Sequence, residues 1–160
     1  GEYTILLNKR SDNVDDHKGE ISFPGGRKDD ADRTLLDTAL RETHEEMGVR
    51  PEDVDVLGEL DEVATTSSFV IGTFVGTIPE GYRFKPNHDE VVEVLEVPAR
   101  LLAQGAYHRD EIRIVDGERV GRPSYAYQGH LVYGATARVL SRFLELVSGA
   151  PDEEVSWKTH

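Results

Sequence analysis

One helix sets the terms for the rest of this chain. From Thr34 to Met47 the apolar positions Leu36, Leu40, Thr43 and Met47 recur at helical spacing, and Gly48 stands where such a helix would end. The segment closes as RETHEEMGV, so the helix that carries this stripe also carries a cluster of acids. At ~100° per residue, Glu42, Glu45 and Glu46 fall within an arc of roughly 100°, centred about 135° from the apolar stripe. Three carboxylates are therefore expected together on the face opposite the core. Like charges three and four residues apart each cost a few tenths of a kcal/mol on an isolated helix, and more when partly buried. Arg41 can relieve part of this through the i,i+4 contact with Glu45, and a divalent cation would neutralise the cluster more completely. The same residues also fit a solvated acidic face.

Composition narrows the choice. The 160 residues hold 31 acids against 18 bases, a formal charge of −13, and no cysteine. Without Cys there is no disulfide framework, thiolate zinc site or cysteine nucleophile, so a metal would need oxygen or imidazole ligands, which favours Mg²⁺ or Mn²⁺. The net charge disfavours a binder of nucleic-acid backbones, which presents Lys and Arg to the polyanion. No apolar run approaches the ~18 residues of a membrane span, and the opening GEYTILLNKR is too short for a signal peptide, so a cytoplasmic protein with no membrane partner is expected. With 38% hydrophobic residues the chain can close one core. Residues 1–148 are read as a single domain and 149–160 as a polar tail in which Trp157 could be a pin.

Around the helix, strands dominate. Tyr3 to Leu7 is an apolar run ending at Lys9 and Arg10, SDNVDDHKGE is a polar loop, and ISFPGG brings a β-prone triplet to a glycine turn open to close backbone approach. VDVLGEL and TTSSFVIGTFVGTI read as strands, with Gly72 and Gly76 marking a bulge or close packing. EVVEVLEV is a strand running into Pro98, ARLLAQG a short helix ended by Gly105, and EIRIVDGERV a hairpin about Asp116-Gly117. YAYQGHLVYG gives another strand pair. ATARVLSRFLELV closes the chain as a helix with Ala137, Leu140, Leu144 and Val147 on one face. The expected class is mixed α/β (α+β), a mixed sheet system sandwiched between helices.

The order of glycine turn and acidic helix is specific. GG…ALRETHEEMGV resembles the Nudix box, the loop-helix-loop signature of hydrolases acting on nucleoside diphosphates linked to another moiety. With five residues intervening after Gly26, the box has Glu where this chain has Asp32, and eight rather than seven residues then precede Arg41. The upstream stretch LLNKRSDNVDDHKGEISFPGG is similar to the signature of Nudix enzymes that hydrolyse coenzyme A, with Arg10, Ser11, His17, Gly19, Phe23, Pro24, Gly25 and Gly26 at the expected spacing. The longer, Asp-containing box belongs to the same coenzyme A pyrophosphatase pattern. LDEVATTSSFVIGTFVG and YGATARVL resemble its central strands and last helix. Two features depart from it: Asp15 replaces a basic loop residue, and the chain opens at what looks like the second strand, so the N-terminal strand of the fold is apparently missing.

The resemblance implies a metal-dependent hydrolase that cleaves coenzyme A or acyl-CoA to 3′,5′-ADP and 4′-phosphopantetheine. It assigns Glu45 and Glu46 as Mg²⁺ or Mn²⁺ ligands with the carbonyl of Gly25, makes Glu42 ligand or base, and has Arg41 orient the carboxylates. Glu90 is the candidate for a further acid, with Glu93 behind it. Arg10, Ser11, His17, Arg27 and Lys28, with Lys18, are candidates for binding substrate phosphate, and Phe69 or Tyr82 for stacking on adenine. The expected partner is a small CoA-like nucleotide, and because dimers are common in the family, a homodimer is admitted. The alternatives are a Nudix pyrophosphatase for ADP-ribose, NADH or nucleoside triphosphates, and a Nudix-fold binding module without turnover, whose expected mark would be loss of the helix acids.

Overall fold

A computed structural model describes residues 2–64 and 70–149. Phe69 and Trp157, both singled out above, lie outside the described residues, as do 150–160. The chain gathers into two compact units, one within residues 6–95 and the other formed by 2–5 with 96–149.

The first unit is built on a small sheet. β1 (Thr4–Arg10) lies between β2 (Ile21–Ser22) and β5 (Val91–Pro98). The pairing with β2 is antiparallel, placing Asn8 opposite Ser22 and Lys9 opposite Ile21. The strand thus runs on through Lys9 and Arg10 instead of ending before them, because a central strand pairs along both edges. α1 (Leu35–Met47) follows the glycine turn, and Thr34 caps it reciprocally with Asp37: the Thr34 hydroxyl accepts from the Asp37 N–H, and the Asp37 carboxylate accepts from the Thr34 N–H. At the other end Gly48 takes φ +73°, and a Cβ there would meet the Lys85 carbonyl at 3.0 Å, so the stop needs glycine for both reasons. Met47, Val49, Leu7, Ile21, Val91 and Leu95 form the buried apolar residues of this unit.

β3 (Asp55–Ala64) and β4 (Val70–Thr77) pair antiparallel after a 3-10 turn at Pro51–Asp53. The register shifts twice, between Val56 and Gly58 and between Leu60 and Val63, opposite the stretches holding Gly76 and Gly72. Both glycines also permit close packing, since a Cβ would meet Val54 Cγ1 at 2.8 Å and Leu35 Cδ1 at 2.9 Å respectively. Leu35 belongs to α1, so Gly72 lets the helix pack closely against β4.

In the second unit α2 (Ala99–Ala103) precedes a three-stranded antiparallel sheet, β6 (His108–Val115), β7 (Glu118–Tyr127) and β8 (His130–Val132), and α3 (Gly134–Ser148) follows. Both two-residue turns, Asp116-Gly117 and Gln128-Gly129, have positive φ at each position, as a type I′ hairpin requires. On α3, Ala137, Leu140 and Leu144 are buried as the spacing predicts and Val147 is half-buried. The result is a mixed α+β chain of three small sheets and three α-helices among the described residues. No helix among them is long and apolar enough to cross a membrane.

Candidate active site

α1 carries Arg41, Glu42, Glu45 and Glu46, and the helix face they occupy is not uniformly solvated. Glu46 is 5% exposed and the Glu42 side chain 16%, while Glu45 stands half out in solvent at 49%. This corrects the expectation of three carboxylates projecting away from the core. The glycine turn and β1 cover part of that face: a Cβ on Gly26 would fall 2.4 Å from Glu42 Cδ, and Gly25 N–H donates to Glu46 Oε2 at 3.2 Å. Asn8 Nδ2 donates to the same oxygen at 3.0 Å. A side chain at 26 would have to displace the Glu42 carboxylate from where it now lies, so glycine there leaves Glu42 its place.

Arg41 is fixed by a residue the box comparison pointed to without giving it a task. Its Nε and Nη2 donate to Oδ1 and Oδ2 of Asp32, each at 2.9 Å, the bidentate geometry that suits a guanidinium. Asp32, 7% exposed, also accepts from the Thr38 hydroxyl and the Asp29 N–H, both at 2.9 Å. The Arg41 hydrogen bonds, with help from the others, hold the Asp32 carboxyl well below the usual carboxylate range. Nη2 further donates to the Arg27 carbonyl, and Nη1 to Glu42 Oε1 and Glu45 Oε2, both at 3.1 Å. The i,i+4 contact to Glu45 is thus present, within a wider network that orients two acids at once.

Glu90 reaches this face by way of the helix end. The last α1 carbonyls are taken by the backbone that follows β4: Lys85 N–H donates to Met47 O at 2.8 Å and Asn87 N–H to Glu46 O at 2.9 Å. Asn87 then turns the chain into β5, accepting from the N–H groups of Glu90 and Val91. Ser11 ties this turn to β1, its N–H donating to Glu90 O and its hydroxyl to Asp89 O. Glu90 Oε2 is buried with no hydrogen-bond partner, and the Glu90 charge is felt at both Glu42 and Glu46. Glu93, the third residue of β5, is exposed.

Burial raises the pKa of Glu42 and pushes Glu46 up to about 7, with the neighbouring carboxylates adding to the effect and Arg10 opposing it at Glu46. Among the described residues no three acidic or histidine side chains converge in ligand geometry, and Arg41 Nη1 holds one oxygen each of Glu42 and Glu45. The donor set nonetheless has the chemistry of a hard-cation site: oxygen donors, a desolvated Glu46, and an orphaned buried oxygen on Glu90. Glu42, Glu45, Glu46 and Glu90 are the residues that could hold Mg²⁺ or Mn²⁺.

The candidate phosphate binders flank the glycine turn, Arg10 at the end of β1, Ser11, His17 and Lys18 on the loop before the turn, and Arg27 and Lys28 just after it. Arg10 is half-buried, and its Nε donates to the Asp16 carbonyl at 3.3 Å. Ser11 is buried and fully engaged, accepting also from Asn13 N–H at 2.9 Å. His17 adopts φ +56°, is exposed, and pairs through Nδ1 with Glu20 Oε2 at 3.0 Å. Arg27 and Lys28 are exposed, Arg27 lying 3.4 Å from Asp16. Lys18 and Asp15 are exposed on the same loop. Tyr82, a stacking candidate, has its hydroxyl committed to Asp53 Oδ2 at 2.6 Å and its ring beside Phe84. Asn8 escaped the sequence reading; its signal was a polar residue following the apolar run of TILLNKR.

Residues 1–116 match the family model described as NUDIX domain. A Pectobacterium atrosepticum protein named Uncharacterized Nudix hydrolase NudL is 37% identical over 149 residues, covering 92% of this chain and 77% of that protein. A Cronobacter sakazakii protein of the same name is 38% identical over 137 residues, covering 85% of this chain and 71% of the relative. Among solved structures, the M. smegmatis Nudix hydrolase RenU aligns with a TM-score of 0.58 at 21% identity, over 92% of this chain and 77% of that one. A C. elegans Ap4A hydrolase aligns with a TM-score of 0.54 at 15% identity, over 65% of this chain and 75% of that one. These two share the fold.

Proposed function

Because the chain belongs to the Nudix hydrolase family, whose members use divalent cations and act on small nucleotide substrates, we propose that it cleaves the pyrophosphate bond of coenzyme A or acyl-CoA. Water adds to one phosphorus, the bridging P–O bond breaks, and 3′,5′-ADP and 4′-phosphopantetheine leave, with proton release. One observation carries the reading. The segment resembling the coenzyme A signature, Arg10 to Gly26, meets the carboxylate helix at its catalytic end, with Gly25 bonded to Glu46 and Gly26 against Glu42.

In this reading Glu45 and Glu46 hold Mg²⁺ or Mn²⁺ with the carbonyl of Gly25, Glu90 completes the set, and Glu42 serves as ligand or base. Bound there, the cation supplies charge neutralisation and Lewis acidity toward the phosphoryl oxygens. Arg41, locked onto Asp32, keeps Glu42 and Glu45 oriented and offsets part of their repulsion. The exposed cations Arg27 and Lys28 face the substrate phosphates, Arg27 being able to make a bidentate contact. Arg10, Ser11 and His17, at the end of β1 and on the loop before the turn, complete the phosphate-binding set, and Arg27 is tied to that loop through Asp16.

The test is a substrate panel. With Mg²⁺ or Mn²⁺ present, coenzyme A should give 3′,5′-ADP and 4′-phosphopantetheine, resolved chromatographically, faster than ADP-ribose, NADH or nucleoside triphosphates are consumed. No turnover of coenzyme A beside rapid turnover of another of these would replace the substrate assignment.

A further inference from the structure

Asn8 stands on the central strand β1 and is 1% exposed, an unusual place for a side chain with four hydrogen-bonding positions. Only its donor is used. Nδ2 donates to Glu46 Oε2 at 3.0 Å, while Oδ1 is buried with no partner. Turning the amide over would set Oδ1 against a carboxylate oxygen, so the orientation is dictated by Glu46. An apolar side chain of the same size would spare the strand an orphaned acceptor, which costs stability wherever it is buried. Such a cost, retained in a core strand, is what a functional requirement leaves behind.

The second donor to Glu46, Gly25 N–H at 3.2 Å, goes to the same oxygen. No donor among the described residues reaches Oε1. Glu42 and Glu45 follow the same pattern, each with one oxygen held by Arg41 Nη1. The difference is charge: Arg41 offsets the acids it holds, whereas the amide of Asn8 and the peptide of Gly25 fix Glu46 and leave its negative charge in place.

We infer that Asn8 is the positioning residue of Glu46, pinning Oε2 so that Oε1 is the oxygen offered to a divalent cation. This rests on Glu46 being a cation ligand, as proposed above. Partners that orient a ligand in this way change cation affinity by about 10–100-fold when removed. The experiment compares Asn8→Leu, which keeps the volume and loses the donor, with Asn8→Ala, each checked for folding by circular dichroism. Mn²⁺ binding is measured by calorimetry on the protein without substrate. Mn²⁺ should bind 10–100-fold more weakly to both, and the cation concentration for half-maximal coenzyme A hydrolysis should rise in step, while KM for coenzyme A at saturating cation stays the same. Wild-type Mn²⁺ affinity in either folded variant overturns the inference. Glu46→Gln, measured alongside, separates the two ideas. If it loses Mn²⁺ binding while the Asn8 variants keep it, only the role of Asn8 fails. If it too binds Mn²⁺ as the wild type does, the assignment of Glu46 fails first.

Discussion

Asp32 and Arg41 show how one ion pair can set the direction of several side chains. The guanidinium spends Nε and Nη2 on Asp32 and has Nη1 left for Glu42 and Glu45. Asp32→Asn removes the charge and half of the fork, leaving Arg41 to collapse onto the helix acids. We expect the variant to fold and its hydrolysis rate to fall by roughly 10–100-fold, as when partners that orient catalytic ligands are lost, measured as kcat beside a circular dichroism spectrum. An unchanged kcat would show that Arg41 needs no anchor. Gly26 makes the complementary case, since an added methyl would meet the Glu42 side chain first and displace it. Gly26→Ala should cut the rate by an order of magnitude or more, whereas Gly121→Ala on β7, where a Cβ meets nothing within 4 Å, should leave it unchanged.

At the scale of elements, stability should follow the caps. Thr34→Ala deletes the hydroxyl half of the α1 capping box and should cost about 1 kcal/mol, seen as a Tm lower by roughly 2–4 °C; no shift would mean that packing alone holds the helix start. Local signals of this kind were legible in the sequence at Gly48, Asp116-Gly117 and the glycines of β4, which declare a helix stop, a turn and a bulge through their own backbone preferences, whereas the capping role of Thr34 was not singled out there. The apolar stripe of α1 was equally readable, but the burial of its acidic face was not. That depends on Asn8, which is 38 residues away from Glu46, and on a turn at Asn87 that ties Glu90 to the helix end. Periodicity reports which residues share a face, and only the tertiary fold decides what covers it. Asp32 fell between these cases: counting along the box located it, yet nothing local revealed that it holds Arg41.

For the whole molecule, a formal charge of −13 disfavours a binder of nucleic-acid backbones, and the structure shows where part of that charge is gathered. Part of the acidity is desolvated at one place, where a cation would reverse it locally. The linkage has a definite sign. Glu46 rises from its ordinary 4.5 to about 7 in the folded chain, so between these values the unfolded chain releases a proton that the folded one keeps. In chelator, stability should fall as pH rises from about 4.5 to 7, by up to roughly 3 kcal/mol. Asp32 acts in the opposite direction: its lowered pKa gives stability that is present at neutral pH and lost in acid. Thermal melts across this range in chelator, and again with millimolar Mg²⁺ or Mn²⁺, check both. The cation should raise Tm most at pH 7 and above, and a flat profile unaffected by metal would favour a solvated acidic face.

Glu46 is the acid on which the proposed reaction depends most. The most direct measurement is the rate of coenzyme A cleavage by Glu46→Gln under saturating Mg²⁺ or Mn²⁺, with folding confirmed on the same sample. Removing one charge from a desolvated, donor-pinned carboxylate should lower kcat by at least about 100-fold and leave the fold intact. A folded Glu46→Gln that cleaves coenzyme A at close to the wild-type rate would contradict that dependence.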